Sequence, residues 1–335
     1  MMTSMAEPEP TRTEPKKGAN ARLIMLMAAV GALLILVASA LLNWPNRNSI
    51  GGSGRIGPAP APRVVFEAEA GDCLNWNEPD ATDIRKVDCG QPHLFEVTGT
   101  FDLRPQLPDD APFPSTEQWQ QLKQEHCTAV SQRYLDGMLD PDGRFSVGAF
   151  TPSEEGWADG DRTLHCGIQQ PGPSGKLYRI KGSIRNLDQS NTYEAGRCLG
   201  INGTQVWDPV DCSEPHSVEI TGLVDLGDEF TGDYPAPEDQ DEFLATRCDE
   251  LSADYAGGPD VVRDKELVVY WDTLSEESWK AGSRNVNCKV GAPLPDGSGL
   301  APVTGSVRGE VQIGDEPAPS DTTSPEPGVP ADEPR

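Results

Sequence analysis

The sequence has few of the residues that build large cores and few of the residues that bind polyanions. Hydrophobic residues make up 36% of the chain and aromatic residues 6%, whereas glycine (34) and proline (31) are abundant. This composition excludes one large compact core, so linkers and tails must form part of the 335 residues. Lysine and arginine number 27 against 54 acidic residues, a formal net charge of −27. Such a chain is a poor nucleic-acid binder, since phosphate contacts need clustered cations.

Catalytic signatures are also missing. The sequence contains no Gly-x-Ser-x-Gly elbow, no Gly-x-x-x-x-Gly-Lys-Ser/Thr phosphate loop, no His-Glu-x-x-His, and no Gly-x-Gly-x-x-Gly at the start of a predicted helix. Every cysteine has a counterpart elsewhere in the chain, so no lone thiol indicates a Cys/His nucleophile. We therefore expect no catalytic residues, no cofactor and no metal.

One long apolar run is present. Residues 23–42 contain no charged side chain, and a helix of that length spans the ~30 Å of bilayer hydrocarbon. Four cations precede it: Arg12, Lys16, Lys17 and Arg22. They predict a single transmembrane helix with residues 1–22 in the cytoplasm and the rest of the chain outside. The alternative is a signal peptide cleaved after Ala40, because Ala38-Ser39-Ala40 is an acceptable peptidase site.

Two biased segments flank the remaining sequence. Residues 43–63 are rich in glycine, serine and proline, which predicts a flexible linker. Residues 312–335 repeat proline and acidic residues and contain little that can be buried, which predicts a disordered tail.

The region between them contains an internal repeat. Residues 151–166 (TPSEEGWADGDRTLHC) match residues 273–288 (TLSEESWKAGSRNVNC). Upstream of each, residues 87–103 (VDCGQPHLFEVTGTFDL) match residues 210–226 (VDCSEPHSVEITGLVDL). A repeat of this length predicts two copies of a domain of about 120 residues, at 64–188 and 189–311.

The eight cysteines fall into two sets of four with similar spacing. An even number in a matched pattern predicts disulfides, and therefore an oxidising compartment. Sequence alone allows three pairings in each domain. We favour the pairing of first with second and third with fourth: Cys73–Cys89, Cys127–Cys166, Cys198–Cys212 and Cys248–Cys288.

Local patterns predict an α+β domain of antiparallel strands with one long and one short helix. The segments 93–103 and 216–226 have strand composition, with Gly99 and Gly222 as expected bulges. Long helices are expected at 115–139 and 237–255, with stops at Gly137 and Gly257.

The repeated stretch predicts a short helix followed by a strand. Thr151 and Thr273 are the expected N-caps, with Glu154 and Glu276 completing capping boxes. Gly160 and Gly282 are expected to end the helices, and the segments 162–166 and 284–288 to be strands.

Paired His and Glu residues recur in both copies, as His93/Glu96 and His216/Glu219. One hypothesis is a metal or acid/base pair in each domain. The alternative is a structural Pro-His turn before a strand, because residues three apart on a strand point to opposite faces.

Histidine also precedes two cysteines of the first copy, in His126-Cys127 and His165-Cys166. This pattern could bind zinc. The second copy has Arg247 and Asn287 at the matching positions, so disulfides explain the cysteines better than a shared metal site.

The repeated stretch also supplies candidate ligand contacts. Trp157 and Trp279 could form a binding surface or close the core beneath the short helix. Arg162 and Arg284 could bind an acidic ligand or pair with a nearby carboxylate. The nearest carboxylates in sequence are Glu154, Glu155, Glu276 and Glu277.

The ordered series Gly-x-Cys, Cys-x-x-Pro-His-x-x-Glu and Trp-x-x-Gly-x-Arg-x-x-x-Cys resembles the septum formation domain of actinobacterial envelope proteins. The resemblance covers roughly residues 64–311, in two copies. It implies a membrane-anchored extracytoplasmic protein connected with septation or cell division, and it supplies no catalytic residues.

We therefore expect a non-catalytic binding or scaffold protein of the cell envelope. Its partners would be envelope or division proteins, or wall polymer. Two alternatives remain: an envelope enzyme that acts on wall material through the His/Glu pairs, and a single-pass sensor whose cytoplasmic tail has a partner.

Overall fold

The computed structural model describes residues 67–314, which belong to one compact unit. The predictions for the cytoplasmic tail, the transmembrane helix, the linker 43–63 and residues 315–335 lie outside this range. No helix within 67–314 is long and apolar enough to cross a membrane. The predicted disordered tail began too early, because residues up to Ile313 form a strand. Val311 and Ile313 alternate with Gln312 and pack against the neighbouring core.

The first half contains a six-stranded antiparallel sheet in the order β2-β1-β3-β5-β4, with β6 paired to β5. Its strands are β1 (Cys73–Asn75), β2 (Arg85–Val87), β3 (Phe95–Asp102), β4 (Ser146–Phe150), β5 (Thr163–Pro171) and β6 (Leu177–Tyr178). The central position of β3 and β5 explains why each contains a continuous run of buried residues, four in β3 and five in β5.

Helical segments cover this sheet. They are α1 (Thr116–Leu122), a π-helical turn (Lys123–Cys127), α2 (Thr128–Leu135), α3 (Glu154–Ala158) and a 3₁₀ turn (Ile184–Asn186). The predicted long helix is thus present but is interrupted by one π turn, which buries Cys127. A capping box begins it, because Ser115 accepts from the Gln118 N–H and the Gln118 side chain accepts from the Ser115 N–H.

The second half contains an eight-stranded antiparallel sheet in which β8-β7-β9-β11-β10 repeats the first strand order. The strands are β7 (Cys198–Asn202), β8 (Gln205–Val210), β9 (His216–Asp225), β10 (Val268–Trp271), β11 (Asn285–Pro293), β12 (Leu300–Ala301), β13 (Val303–Gly305) and β14 (Val311–Ile313). The helices are a 3₁₀ turn (Leu226–Asp228), α4 (Pro237–Ala256), α5 (Val261–Asp264) and α6 (Glu276–Lys280). The fold class is therefore α+β, as predicted.

Each central strand has the expected bulge. The register of β3 against β5 skips Thr98, and that of β9 against β11 skips Thr221. The two threonines precede the predicted glycines and turn their hydroxyls toward the helix behind. Thr98 is hydrogen-bonded to Ser131 (3.1 Å) and Thr221 to Ser252 (2.7 Å). The extra residue therefore links strand to helix in both halves.

Each half contains two disulfides, and their pairing is the one favoured in the sequence analysis. They join Cys73 to Cys89, Cys127 to Cys166, Cys198 to Cys212 and Cys248 to Cys288. The second disulfide of each half connects the long helix to a central strand. No cysteine is free, and all eight lie in the described range.

The helix ends partly correct the sequence predictions. Gly257 caps α4 with a positive φ of 92°, as expected, whereas Asp136 and not Gly137 takes the left-handed position after α2. Gly160 and Gly282 follow the short helices with φ of 91° and 97°, which confirms their role as stops.

The predicted caps of the short helices are wrong by two residues. The N-caps are Ser153 and Ser275, whose hydroxyls accept from the Gly156 N–H (3.0 Å) and the Ser278 N–H (3.2 Å). Both copies begin the helix at the serine, although only the first has a proline before it (Pro152 against Leu274), so the proline does not set the position of the cap.

Candidate functional site

In the first half, the Trp and Arg that both copies of the repeated stretch share form one buried unit. The Trp157 indole N–H donates to the Ala111 carbonyl (2.9 Å), and the Arg162 guanidinium lies 3.6 Å from the centre of the Trp157 ring. Arg162 is 1% exposed and donates to the carbonyls of Trp157 (2.6 Å) and Asp109 (2.9 Å). The guanidinium therefore closes the end of α3 and secures the loop before α1.

The second half repeats this unit. The Trp279 indole donates to the Gly232 carbonyl (3.1 Å), and Arg284 lies 3.7 Å from the ring centre. Arg284 donates to the carbonyls of Trp279 and Ser283, both at 2.7 Å. Both arginines bind main-chain oxygens, so the predicted pairing with the nearby glutamates is wrong. Carbonyls at a helix end carry partial negative charge and need donors, which sequence alone does not reveal.

The burial of these side chains limits their access to a ligand. Trp157 and Trp279 are buried, as the core hypothesis for them requires, and Arg162 is covered as well. A ligand could reach these three side chains only if the residues that cover them moved. Arg284 is half-buried, and ligand binding by Trp157, Trp279, Arg162 and Arg284 stays a prediction.

A buried carboxylate forms the second repeated unit. Glu96 is completely buried, and its Oε1 accepts from the hydroxyls of Tyr134 (2.5 Å) and Ser183 (2.8 Å). Its Oε2 accepts from the Ile184 N–H (2.8 Å). Three donors from a helix and a 3₁₀ turn therefore converge on one strand residue, which satisfies the charge.

Glu219 has the same environment in the second half. It accepts from the hydroxyls of Tyr255 (2.8 Å) and Ser306 (2.6 Å) and from the Val307 N–H (2.7 Å). Burial, and next the hydrogen bond to the carboxylate, raises the pKa of Tyr134 and of Tyr255 to about 12. Neither phenol is therefore suited to give up a proton near neutral pH.

The histidines of the His/Glu pairs are also buried. Nδ1 of His93 lies 3.0 Å from the Gln91 carbonyl, and Nδ1 of His216 lies 2.8 Å from the Glu214 carbonyl. A carbonyl only accepts, so we assign the ring proton to Nδ1. Burial lowers the pKa of His216 below its ordinary value, which keeps that ring neutral. Each histidine closes a turn before a strand, as the structural alternative requires, while the glutamates bind other partners.

The candidate zinc residues do not form a metal site. His126 stacks on Phe101 with ring centres 4.0 Å apart and is hydrogen-bonded to Gln106 (3.0 Å). The neighbouring cysteines are in a disulfide. Two cysteines and a glutamate do cluster in each half, as Cys73/Cys89/Glu96 and Cys198/Cys212/Glu219. Their sulfurs are bonded to each other and each carboxylate already has three donors, so these groups do not fit a metal in the oxidised protein.

A junction between the halves involves residues that the sequence analysis did not single out. Asp140 is 3% exposed and accepts from the hydroxyls of Ser278 (2.7 Å) and Ser283. Asp142 accepts from the Ser275 hydroxyl (2.7 Å). The available signal was that Ser278 and Ser283 occupy positions where the two copies of the repeated stretch differ. The first copy has glycine and aspartate there.

A groove beside α4 is the second feature that was missed. It has a volume of about 940 Å³, and its walls come from α4, α5 and β10. Exposed acidic residues follow one side and apolar residues form the floor. The acidic residues Asp249, Glu250 and Asp254 are visible in the sequence, but they only become a group when α5 packs beside α4.

Known proteins support the expected family. A family model described as septum formation matches residues 70–288, a range that includes all eight cysteines and both copies of the repeated stretch. The chain belongs to the septum formation family. The resemblance seen in the ordered cysteine, Pro-His and Trp-Gly-Arg motifs is thereby confirmed.

Relatives of this family member occur in two strains of Mycobacterium tuberculosis. Each is 33% identical over 325 residues, an alignment that covers 92% of this chain and 72% of the relative. Both carry the name uncharacterized membrane protein. No solved structure matches the chain.

Proposed function

We propose that the protein is a membrane-anchored, non-catalytic binding or scaffold protein of the cell envelope that takes part in septum formation. Residues 23–42 are the anchor, residues 1–22 are cytoplasmic, and the disulfide-bonded region faces outward. The family, the membrane-protein name of the relatives and the uncharged run before the first domain support this proposal. Its partners are division proteins of the envelope or wall polymer.

The proposal includes a tandem duplication, with copies at 64–188 and 189–311. Equivalent strand orders, disulfides and carboxylate clusters support it. The Gly182 N–H donates to the Cys89 carbonyl and the Gly305 N–H to the Cys212 carbonyl, both at 2.7 Å. Agreement at the level of single hydrogen bonds favours a common origin over similar folding alone.

One observation supports the absence of catalysis most strongly. The buried carboxylates that recur in both copies are saturated by structural contacts, and the recurring arginines bind main-chain carbonyls. Glu96 and Glu219 each bind three internal donors, and Arg162 is enclosed by carbonyls and an indole. A general acid or base must reach the proton that it transfers, and these groups reach only other parts of the fold.

The junction at Asp140 supports a scaffold. Two domains joined only by a linker would sample many orientations, whereas a buried carboxylate with two serine donors fixes one. A fixed pair of domains presents two surfaces at a set distance, which favours simultaneous contact with two sites on a partner or polymer.

The experiment that tests the proposal is deletion of the gene in its host, with rescue by the full chain. We expect altered septum spacing in the deletion strain and recovery with the full chain. A version without residues 23–42 should not rescue and should leave the membrane fraction. Normal septa in the deletion strain would contradict the link with septation.

Two further measurements separate the alternatives. Purified full chain incubated with isolated cell wall should release no soluble fragments, whereas release would favour the enzyme. Replacement of residues 1–22 by an unrelated sequence with the same cations should preserve rescue, whereas loss of rescue would favour the sensor.

A further inference from the structure

The groove beside α4 has an apolar floor and an acidic rim. Val262 and Leu267 are nearly buried, and Val269 lies beside them. Glu250 and Asp254 are exposed on α4, one turn apart along the wall of the groove, and Asp249 is exposed beside Glu250. The floor can therefore accommodate an aliphatic side chain while the rim attracts positive charge.

The negative charge of the rim is only partly neutralised by its neighbours. Arg263 is the cation of the lining, but it donates to Asp260 (2.6 Å) and lies 3.6 Å from Asp264. Glu250 lies 3.2 Å from Arg247, an exposed pair that leaves its carboxylate open to solvent. Asp249 and Asp254 form no ion pair with any residue between 67 and 314. Two of the three rim carboxylates on α4 therefore have no cation of the described chain beside them.

The acidic rim is particular to the second half. Alignment of Cys127 with Cys248 also aligns Tyr134 with Tyr255, the two tyrosines that bind the buried glutamates. On this alignment Asp249, Glu250 and Asp254 correspond to Thr128, Ala129 and Arg133. The fold that the two halves share therefore does not need acidic residues at these three positions.

The other wall of the groove is particular to the second half as well. Helix α5 (Val261–Asp264) stands between α4 and β10, whereas residues 136–145 of the first half contain no helix between α2 and β4. Two independent departures from the first half, the acidic residues and the added helix, therefore meet at the same groove.

We infer that this groove binds a cationic peptide segment of a partner protein, with an aliphatic side chain on the floor and Lys or Arg against the rim. The inference rests on the proposed function as a binding protein and names the chemistry of the partner. Phosphate- or carboxylate-bearing wall polymer is disfavoured because the rim would repel it. The residues that line the groove include no aromatic ring on which a sugar could stack.

A competing occupant is the basic segment at residues 12–22 of the chain itself. In the proposed topology this segment lies on the other side of the membrane, so it should not reach the groove. Removal of residues 1–22 distinguishes the two occupants.

The test uses the full chain in phosphatidylcholine nanodiscs and a fluorescein-labelled peptide of lysine, glycine and serine with one central leucine. Fluorescence anisotropy gives the Kd. The triple variant Asp249→Asn, Glu250→Gln, Asp254→Asn should raise the Kd by about tenfold, as three exposed charge contacts imply. Replacement of the leucine by serine in the peptide should also raise the Kd, and added salt should weaken binding.

A matched control changes the same charge at the other end of α4. Glu238→Gln, Asp239→Asn, Glu242→Gln alters exposed residues outside the groove. Its Kd should stay within about twofold of the unmodified chain, because screening weakens distant charges. Circular dichroism of both triple variants checks that α4 remains folded.

Three results would overturn the inference: an unchanged Kd in the groove variant, equal weakening in both variants, or tighter peptide binding after removal of residues 1–22. An unchanged Kd in the groove variant would mean that the peptide binds elsewhere. Equal weakening in both variants would mean that binding depends only on net charge. Tighter binding after removal of residues 1–22 would mean that the chain's own basic segment occupies the groove. Each leaves rescue of septum spacing by the full chain intact, so failure of the inference is distinguishable from failure of the proposed function.

Discussion

The hydroxyl of Ser283 in the second half donates to the buried carboxylate of Asp140 in the first. Ser278 donates to the other oxygen of the same carboxylate. A residue from one half is thus satisfied by two residues from the repeated stretch of the other. The stretch has the same internal fold in both copies, while its variable positions serve the contact between them.

This relationship predicts strong coupling between the two residues. In a double-mutant cycle of Asp140→Ala and Ser283→Ala, the coupling energy should be about 1.5–3 kcal/mol, the range for hydrogen bonds to charged groups. Urea unfolding of the purified full chain measures it. A cycle with the exposed Asp136 and Ser283 is the control and should show coupling near zero. A similar value in both cycles would argue against the junction.

The paired arginines predict unequal effects of one substitution. Arg162→Lys should destabilise the fold by about 2–3 kcal/mol, because lysine cannot stack on the indole and bind several carbonyls together. Arg284→Lys should lower the free energy of unfolding by less, because Arg284 is more exposed. It donates to two carbonyls, whereas Arg162 donates at short distance to those of Trp157, Asp161 and Asp109. Urea unfolding compares the two variants. A larger loss for Arg284→Lys would contradict the account of this unit.

The buried carboxylate clusters predict a stability change at high pH. The pKa of Tyr134 and of Tyr255 is raised to about 12, above the ordinary value of 10.0, so folding favours the neutral phenols. Their contribution is complete below pH 10 and is lost as the pH rises through 12. Tyrosinate absorbance, recorded directly after a pH jump, should show ionisation in this window. The double variant Tyr134→Phe, Tyr255→Phe should lack that component, and an unchanged titration would contradict the assignment.

The disulfides predict an order of stabilisation. Cys127–Cys166 and Cys248–Cys288 span 39 and 40 residues, whereas Cys73–Cys89 and Cys198–Cys212 span 16 and 14. Loop entropy gives roughly 4 kcal/mol for the longer loops and roughly 3 kcal/mol for the shorter ones. Removal of each pair by paired alanine substitution, followed by urea unfolding, tests the order. A consistently larger loss for the short loops would show that loop entropy does not control it.

Much of the fold could be predicted because its signals are local or repeated. The cysteine spacing indicated two matched disulfide sets, although it left three pairings open in each. The composition of the segments around Gly99 and Gly222 indicated the central strands and their bulges. The cap at Ser153 was missed because Thr151 and Ser153 both have a hydroxyl that can cap a helix, and the sequence does not show which one lies beside the free N–H groups of the first turn. These are short-range effects that a sequence reader can learn to weigh.

The candidate site was less predictable for a different reason. The partners of Arg162 are main-chain carbonyls, which every residue has, so no side-chain pattern points to them. The contact of Asp140 with Ser283 joins residues far apart in sequence, and the groove exists only once α5 packs against α4. Such features depend on tertiary packing, which repeat patterns and spacing do not encode directly.

The central claim is that the repeated polar residues support the fold while function resides on a surface. The most direct measurement is septum spacing in a deletion strain that carries one of two full-chain variants. His93→Asn with His216→Asn places an amide near the position of Nδ1 and removes any acid/base role. We predict that this variant restores normal spacing, whereas Asp249→Asn, Glu250→Gln, Asp254→Asn restores it only in part. Loss of rescue by the histidine variant at normal protein level, with full rescue by the groove variant, would contradict the account.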